Sequence, residues 1–165
     1  MILDIADVKH PLDQYKAFAF DVDRTLRICH APDQNYPLHD GDWLVADNVQ
    51  PILSQYLARS RFEYALITNQ SGIGKGRLAY GQALDMLYDL RNLLFVERAL
   101  RCDIYLCSHT ANVHCPCRKP SPYALLRFAF VRNLHLDQIL YIGDMQSDLE
   151  CAVRAGVDYC NADSF

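Results

Sequence analysis

The chain has 165 residues, of which 51% are hydrophobic and 22% charged, and its formal charge is −4. These proportions fit one ordinary globular domain and exclude a disordered, collagen-like or repeat-built chain. The negative balance argues against broad nucleic-acid affinity, which is driven by clustered Lys and Arg. No apolar run nears the roughly 18 residues that span a bilayer; the greasiest stretch, Tyr123–Val131, is broken by Arg127. The start, MILDIADVKH, carries Asp4 and Asp7 and no basic residue ahead of an apolar run. No secretory signal is expected, and a cytoplasmic monomer without membrane contact is the default. Seven cysteines in such a compartment stay as thiols. Cys29, Cys102, Cys151 and Cys160 are scattered, whereas Cys107, Cys115 and Cys117 crowd into one loop.

In chain order, Ala17–Phe20 (AFAF) reads as a buried strand that ends on Asp21. Residues 27–48 are polar and contain Pro32, Pro37 and Gly41; a connection of this length predicts a flap, with Tyr36 and Trp43 upon it. Residues 49–58 carry Ile52, Leu53, Tyr56 and Leu57 at helical spacing. A second strand over 64–67 (YALI) ends at Thr68-Asn69-Gln70, and a glycine-rich turn follows over 71–77. Residues 82–100 repeat Leu84, Leu87, Leu90 and Leu94 as a long helix. A third strand over 104–106 opens into the cysteine loop. Pro122 suits the first turn of a helix running to about Asn133. The fourth strand, 139–142 (ILYI), ends at Gly143-Asp144. Ser147 or Asp148 caps the next helix, Gly156 stops it, and residues 157–160 form a short fifth strand. Strand and helix alternate throughout, which predicts an α/β fold with a parallel sheet covered on both faces. No linker divides it, so residues 1–165 are expected to form a single domain.

In open parallel sheets, ligands bind beyond the carboxyl ends of the strands. The first strand delivers Asp21, Asp23 and Thr25 there, and the second delivers Thr68 and Asn69. Arg118 and Lys119 follow the third strand, and Asp144 with Asp148 follow the fourth. Carboxylates suit a hard cation such as Mg²⁺; Thr68, Asn69 and Arg118 suit phosphate or substrate oxygens. Phosphoryl transfer needs this combination, because its transition state spreads negative charge over the phosphoryl oxygens. Asp21 and Asp23, two apart on a strand, point to one side and can act together as nucleophile and acid–base.

The segments FDVDRTL, ITNQSG, RKP and GDMQSD resemble the four ordered motifs of the haloacid dehalogenase (HAD) superfamily of phosphatases, over nearly the whole chain. The resemblance implies a Rossmann-like sheet without a separate cap domain, since no insert of cap size follows either of the first two motifs. It makes Asp21 the nucleophile, Asp23 the general acid–base, Thr68 a phosphoryl ligand and Lys119 its counter-charge. It gives Mg²⁺ to Asp21, Asp144 and the backbone carbonyl of Asp23, with Asp148 supporting the metal or orienting Lys119. TNQSGIGKG and CRKP look like the branch containing histidinol-phosphate phosphatase and D-glycero-D-manno-heptose 1,7-bisphosphate phosphatase. That branch carries a zinc loop between its second and third motifs. Here the loop spans 107–117, with Cys107, His109, Cys115 and Cys117 as the implied structural Zn²⁺ ligands. Because Cys117 directly precedes Arg118-Lys119, the zinc would fix both cations over the strand ends. His114 is a poorer ligand, since it cannot turn inward together with its neighbour Cys115.

The first motif departs from the branch pattern: Arg24 occupies a glycine position. It crowds the site, adds a phosphate contact or faces solvent. The substrate implied is a small phosphorylated metabolite, histidinol phosphate or a sugar or heptose phosphate, hydrolysed through an aspartyl-phosphate. The zinc-loop cysteines and the negative charge count against the alternative of a polynucleotide 3′-phosphatase. The intact set Asp21, Asp23, Lys119 and Asp144 counts against a non-catalytic binding module.

Overall fold

Ala17–Phe20 (β1) is the central strand of a five-stranded parallel sheet. In the computed structural model the described residues are 11–31, 33–47, 49, 62–95 and 101–164. A hairpin of Arg27–Cys29 (β2) with Trp43–Val45 (β3) follows, and the chain then enters the sheet again at Glu63–Asn69 (β4). β4 lies parallel to β1, with Phe18 opposite Tyr64 and Phe20 opposite Leu66. Ser71–Gly74 (α1) and Tyr80–Leu94 (α2) lead to Cys102–Cys107 (β5) on the far side of β4. Tyr123–Val131 (α3) then carries the chain across to Ile139–Gly143 (β6) on the other flank of β1. Gln146–Ala155 (α4) and Asp158–Asn161 (β7) complete the sheet, whose order is β5-β4-β1-β6-β7. The connections therefore reverse direction at β1, and the carboxyl ends of β1, β4 and β6 lie side by side at this switch point.

The period-2 alternation of the strands sorts their side chains into two cores. Phe18, Phe20, Tyr64, Leu66, Leu140 and Ile142 pack on one face against Leu87 and Leu90 of α2. Ala17, Ala19, Ala65, Ile67, Ile139 and Tyr141 face the other side, against Leu125 and Phe128 of α3 and Cys151 and Ala152 of α4. The alanines of β1 and β4 let the helices on that second face approach closely, while aromatics fill the first. Phe18 meets Phe62 edge-on at 5.0 Å, and the Tyr64 and Phe95 rings lie 4.7 Å apart.

The expected alternation of strand and helix is what forms, with strand ends shifted by at most two residues. The flap differs from expectation: it is not plain loop, because β2 and β3 pair antiparallel within it, Arg27 opposite Val45 and Cys29 opposite Trp43. Three-residue strands are too short to reveal alternation, and Ile28 faces outward. The helix read over 49–58 falls, apart from Val49, outside the described residues, as does the end of the helix read over 82–100 beyond Phe95. Among the described residues no helix is long and apolar enough to cross a membrane. Gly156 stops α4 in the left-handed conformation, φ 80°, which a glycine adopts without strain.

Phe128 is fully buried whereas Phe130, two residues along the same helix, is 79% exposed. Phe128→Ala is expected to cost about 3–5 kcal/mol and Phe130→Ala less than about 0.5 kcal/mol, measured by urea unfolding.

Candidate active site

Asp21 is the first residue beyond β1, and its N–H still donates to the carbonyl of Ile142 at 2.8 Å, so the sheet ladder fixes its backbone. Thr68 and Asn69 close β4, and Asp144 follows the last residue of β6. Lys119 comes from the loop after β5 and is 5% exposed. Asn69 anchors it by a reciprocal pair: the Lys119 N–H donates to Asn69 Oδ1 at 3.1 Å, and Asn69 Nδ2 donates to the Lys119 carbonyl at 3.2 Å. The Asn69 amide is thereby engaged in positioning Lys119. Arg118 lines the cleft while its Nη1 donates to Ser71 Oγ at 2.9 Å and the His109 carbonyl at 3.0 Å.

The Lys119 ammonium reaches across the sheet into a buried charge cluster. It contacts Asp21 Oδ1, lies 2.7 Å from Asp148 Oδ1, and donates to the Ile67 carbonyl and the Tyr141 hydroxyl, each at 3.1 Å. Burial pushes the Asp21 carboxyl up to about 7 against the opposing pull of Lys119. Burial alone would favour neutral Lys119, but the charges of Asp21 and Asp148 outweigh it and hold the ammonium above its ordinary value. Asp148 is fully engaged: Oδ1 also accepts from the Tyr141 hydroxyl at 2.9 Å, and Oδ2 accepts from the Met145 N–H at 3.0 Å. It thus caps α4 from its first turn, where a carboxylate also suits the helix dipole. A Cβ on Gly143 would lie 2.6 Å from Asp148 Cβ, so this approach requires glycine.

Asp23 sits at the cleft with both oxygens held. Oδ1 accepts from Arg27 Nε at 2.7 Å, and Oδ2 from Gln70 Nε2 at 2.6 Å. Gln70 Nε2 also donates to Thr68 Oγ1 at 2.7 Å, which leaves the Thr68 hydroxyl proton free to point elsewhere. The Thr25 hydroxyl donates to Asp21 Oδ2 at 3.2 Å. Arg27 is 1% exposed and stacks its guanidinium 5.7 Å from the centre of the Trp43 ring. Of the two flap aromatics, Tyr36 lines the cleft, whereas Trp43 packs beneath the hairpin against the cores.

Asp144 is the contrast. Its side chain is 6% exposed, yet neither carboxylate oxygen accepts a hydrogen bond among the described residues. Burial, the first cause, raises its pKa. Ligand oxygens of Asp21, Asp144 and Asp148 all lie within 4.8 Å of one another. An unpaired buried carboxylate is costly, and an oxygen-lined cluster of this kind fits Mg²⁺. Arg24, which stands where the branch has glycine, keeps the glycine backbone at φ 72° and places Nε 3.3 Å from Asp144 Oδ2.

The cysteine loop forms a second cluster. Cys107 Sγ lies 3.7 Å from Cys115 Sγ and 3.4 Å from Cys117 Sγ, and Cys115 lies 3.6 Å from Cys117. His109 Nδ1 lies 3.6 Å from Cys107 Sγ and 3.4 Å from Cys117 Sγ. Tetrahedral ligands about 2.3 Å from a common centre stand about 3.8 Å apart, so these edges fit a zinc-sized ion. His114 lies outside the group. The loop is pressed against α1: a Cβ on Gly74 would lie 2.7 Å from the Ser108 carbonyl.

The strand-end residues therefore gather around one cleft of about 300 Å³. Sequence reading singled out Asp21, Asp23, Thr68, Asn69, Arg118, Lys119, Asp144 and Asp148; the first six line it, and Asp144 and Asp148 stand behind its wall, with carboxylate oxygens within 4.8 Å of one of Asp21's. It missed Arg27, Gln70 and Tyr141, whose side chains orient the acids and the lysine. Gln70 was signalled by its place in TNQ; Arg27 and Tyr141 had no local signal, because their partners come from the tertiary fold.

A cleft of clustered acids and one buried lysine at the switch point of a parallel sheet defines a phosphatase of the haloacid dehalogenase type. The HAD-hydrolase-like family matches residues 116–161. The chain is 31% identical over 143 residues to the D-glycero-beta-D-manno-heptose-1,7-bisphosphate 7-phosphatase of Helicobacter pylori, covering 86% of this chain and 80% of that one. It is 30% identical over 145 residues to the D-glycero-alpha-D-manno-heptose-1,7-bisphosphate 7-phosphatase of Campylobacter jejuni, covering 86% and 78%. Among solved structures, the D,D-heptose 1.7-bisphosphate phosphatase from B. bronchiseptica, complexed with magnesium and phosphate, shares the fold. Its TM-score is 0.72 at 22% identity, covering 87% of this chain and 78% of that one. The chain belongs to the HAD-like phosphatases.

Lys119→Met would strand Asp21 and Asp148 without their cation. Unfolding free energy is expected to fall by about 3–5 kcal/mol, measured by urea denaturation without divalent cation. The loss should grow as pH rises from 5 to 8: burial raises the pKa of the Asp21 carboxyl, so the folded state keeps a proton there that the unfolded chain has released, and ionisation on the alkaline side, with no ammonium beside it, disfavours the folded state. A loss independent of pH would contradict the charge origin.

Proposed function

We propose that the protein is a Mg²⁺-dependent phosphomonoesterase acting on a small phosphorylated sugar, with a heptose bisphosphate the first substrate to test, through an aspartyl-phosphate on Asp21. The observation that carries this reading is the meeting of Asp21 with Lys119 on one side and, on the other, with the carboxylate of Asp144, which accepts no hydrogen bond among the described residues. The substrate class draws on the names of the relatives, which cover both anomers of the heptose.

Asp21 attacks phosphorus as the P–O bond to the sugar breaks, and Asp23 gives its proton to the departing oxygen. Asp23, then a carboxylate, takes a proton from a water that attacks phosphorus and releases Asp21. Arg27 and Gln70 hold the Asp23 carboxyl at the cleft for both steps. The Thr68 hydroxyl, which accepts from Gln70, donates to a phosphoryl oxygen, and Lys119 offsets the charge that develops there. Asn69 serves by fixing the backbone of Lys119, and Arg118 faces the substrate's outer oxygens. Asp21, Asp144 and the Asp23 carbonyl, with Asp148 behind, would hold Mg²⁺, which would supply positive charge to the phosphoryl group when bound. Cys107, His109, Cys115 and Cys117 would hold Zn²⁺, and the loop that carries Arg118 and Lys119 would be tied down through them.

With Mg²⁺ supplied, phosphate release from heptose 1,7-bisphosphate is expected to exceed that from histidinol phosphate and from 3′-phosphorylated oligonucleotides. Asp21→Asn should lower it by at least about 10³-fold while leaving the melting temperature near that of the parent. Preference for the oligonucleotide would favour a nucleic-acid phosphatase, and no turnover on any ester would favour a binding module. Metal analysis should give about one Zn²⁺ per chain that survives dialysis. Its removal by a chelator, with Mg²⁺ restored, should cut turnover by roughly 10-fold or more; full turnover without zinc would refute its positioning role.

A further inference from the structure

Arg24 departs from the residue expected in the first motif of the site, and the structure gives that departure a geometry. Its backbone keeps φ 72°, a conformation disfavoured for a residue with a Cβ. Its side chain is 59% exposed, yet it turns back over the rim to place Nε 3.3 Å from Asp144 Oδ2. Nη1 rests 3.9 Å from Met145 Sδ, and among the described residues no second acid pairs with it. Asp144, in turn, is nearly buried and receives no hydrogen bond among the described residues. The guanidinium is therefore the nearest compensation this carboxylate has.

We infer that Arg24 is an internal counter-ion that competes with the divalent cation for Asp144, weakening cation uptake relative to the same acids with a neutral residue at position 24. This rests on the reading of Asp144 as a cation ligand. Asp21, Asp144 and Asp148 bring three negative charges to one locus, and Lys119 brings one positive charge. Arg24 adds a second positive charge at the corner where the cation belongs. To bind, the cation must displace it. An exposed arginine on one ion pair is held weakly enough to yield, and once released it remains in the cleft wall. The competition is electrostatic, so it follows the charge at position 24 and not the shape of the side chain.

Zinc-loaded protein titrated with MgCl₂ by calorimetry tests this without substrate. Arg24→Gln and Arg24→Gly are expected to bind Mg²⁺ roughly 3- to 10-fold more tightly than the parent, and Arg24→Lys close to it. Melting curves in EDTA check that each variant is folded; the Gly variant guards against distortion by the Gln side chain. Asp144→Asn should lose Mg²⁺ binding in either background. Equal affinities in the parent, Gln, Gly and Lys proteins, with binding still abolished by Asp144→Asn, would overturn the competition and leave Asp144 as the ligand. Unchanged affinity in Asp144→Asn would overturn the ligand assignment itself, and the inference with it.

Discussion

The structure depends on keeping one ammonium group at the carboxyl end of the sheet, between two carboxylates that come from different elements. Asp21 is reached from β1, Asp148 from the first turn of α4, and Lys119 from the loop after β5. None of the three is tolerable there alone. An isolated buried charge costs several kcal/mol or more, so each residue's position is a condition for the other two. Tyr141 adds a hydroxyl that accepts from Lys119 and donates to Asp148, and the Thr25 hydroxyl and the Met145 N–H donate to the remaining carboxylate oxygens. The same arrangement leaves Asp144 outside the settlement, a carboxylate beside a filled charge cluster but not part of it. That asymmetry separates Asp144, whose oxygens accept no hydrogen bond among the described residues, from the two acids that hold the lysine.

The peripheral elements serve this constraint in different ways. Asn69 holds the Lys119 backbone through two amide bonds. The cysteine cluster ends two residues before Lys119, and Gly74 lets α1 lie against the loop that carries it. Gly143 makes room for Asp148. These contacts act on the side chain's origin, whereas Asp21 and Asp148 act on its charged end. A long flexible lysine is thus fixed at both ends, so that most of the entropy of ordering it is lost in folding and not on binding a ligand.

Much of this was legible in the order of residues. AFAF followed by Asp21, and ILYI followed by Gly143-Asp144, announce buried strands that end in acids, and the spacing of Cys107, His109, Cys115 and Cys117 announces a cluster. The positioning residues were not legible. Arg27 lies in a three-residue strand with no periodic signal, and a basic residue after a turn is ordinarily a solvated one. Its burial follows from Asp23 and Trp43, which only the hairpin brings to it. Tyr141 reads as one more apolar residue of β6 until the fold sets Asp148 and Lys119 beside its hydroxyl. Asp148 showed its capping role in sequence, while its hold on Lys119, 29 positions away, was implied by the family resemblance and not by any local pattern.

Gly72 and Tyr36 carry a consequence for how such chains diverge. The ring of Tyr36 fills the space that a Cβ at position 72 would need, with Cε2 2.7 Å from where that atom would stand. Position 72 cannot gain a side chain unless the Tyr36 ring turns aside or is lost, or the flap shifts. The two sites, 36 residues apart in sequence, are therefore coupled, and a side chain at position 72 would move a ring that lines the cleft.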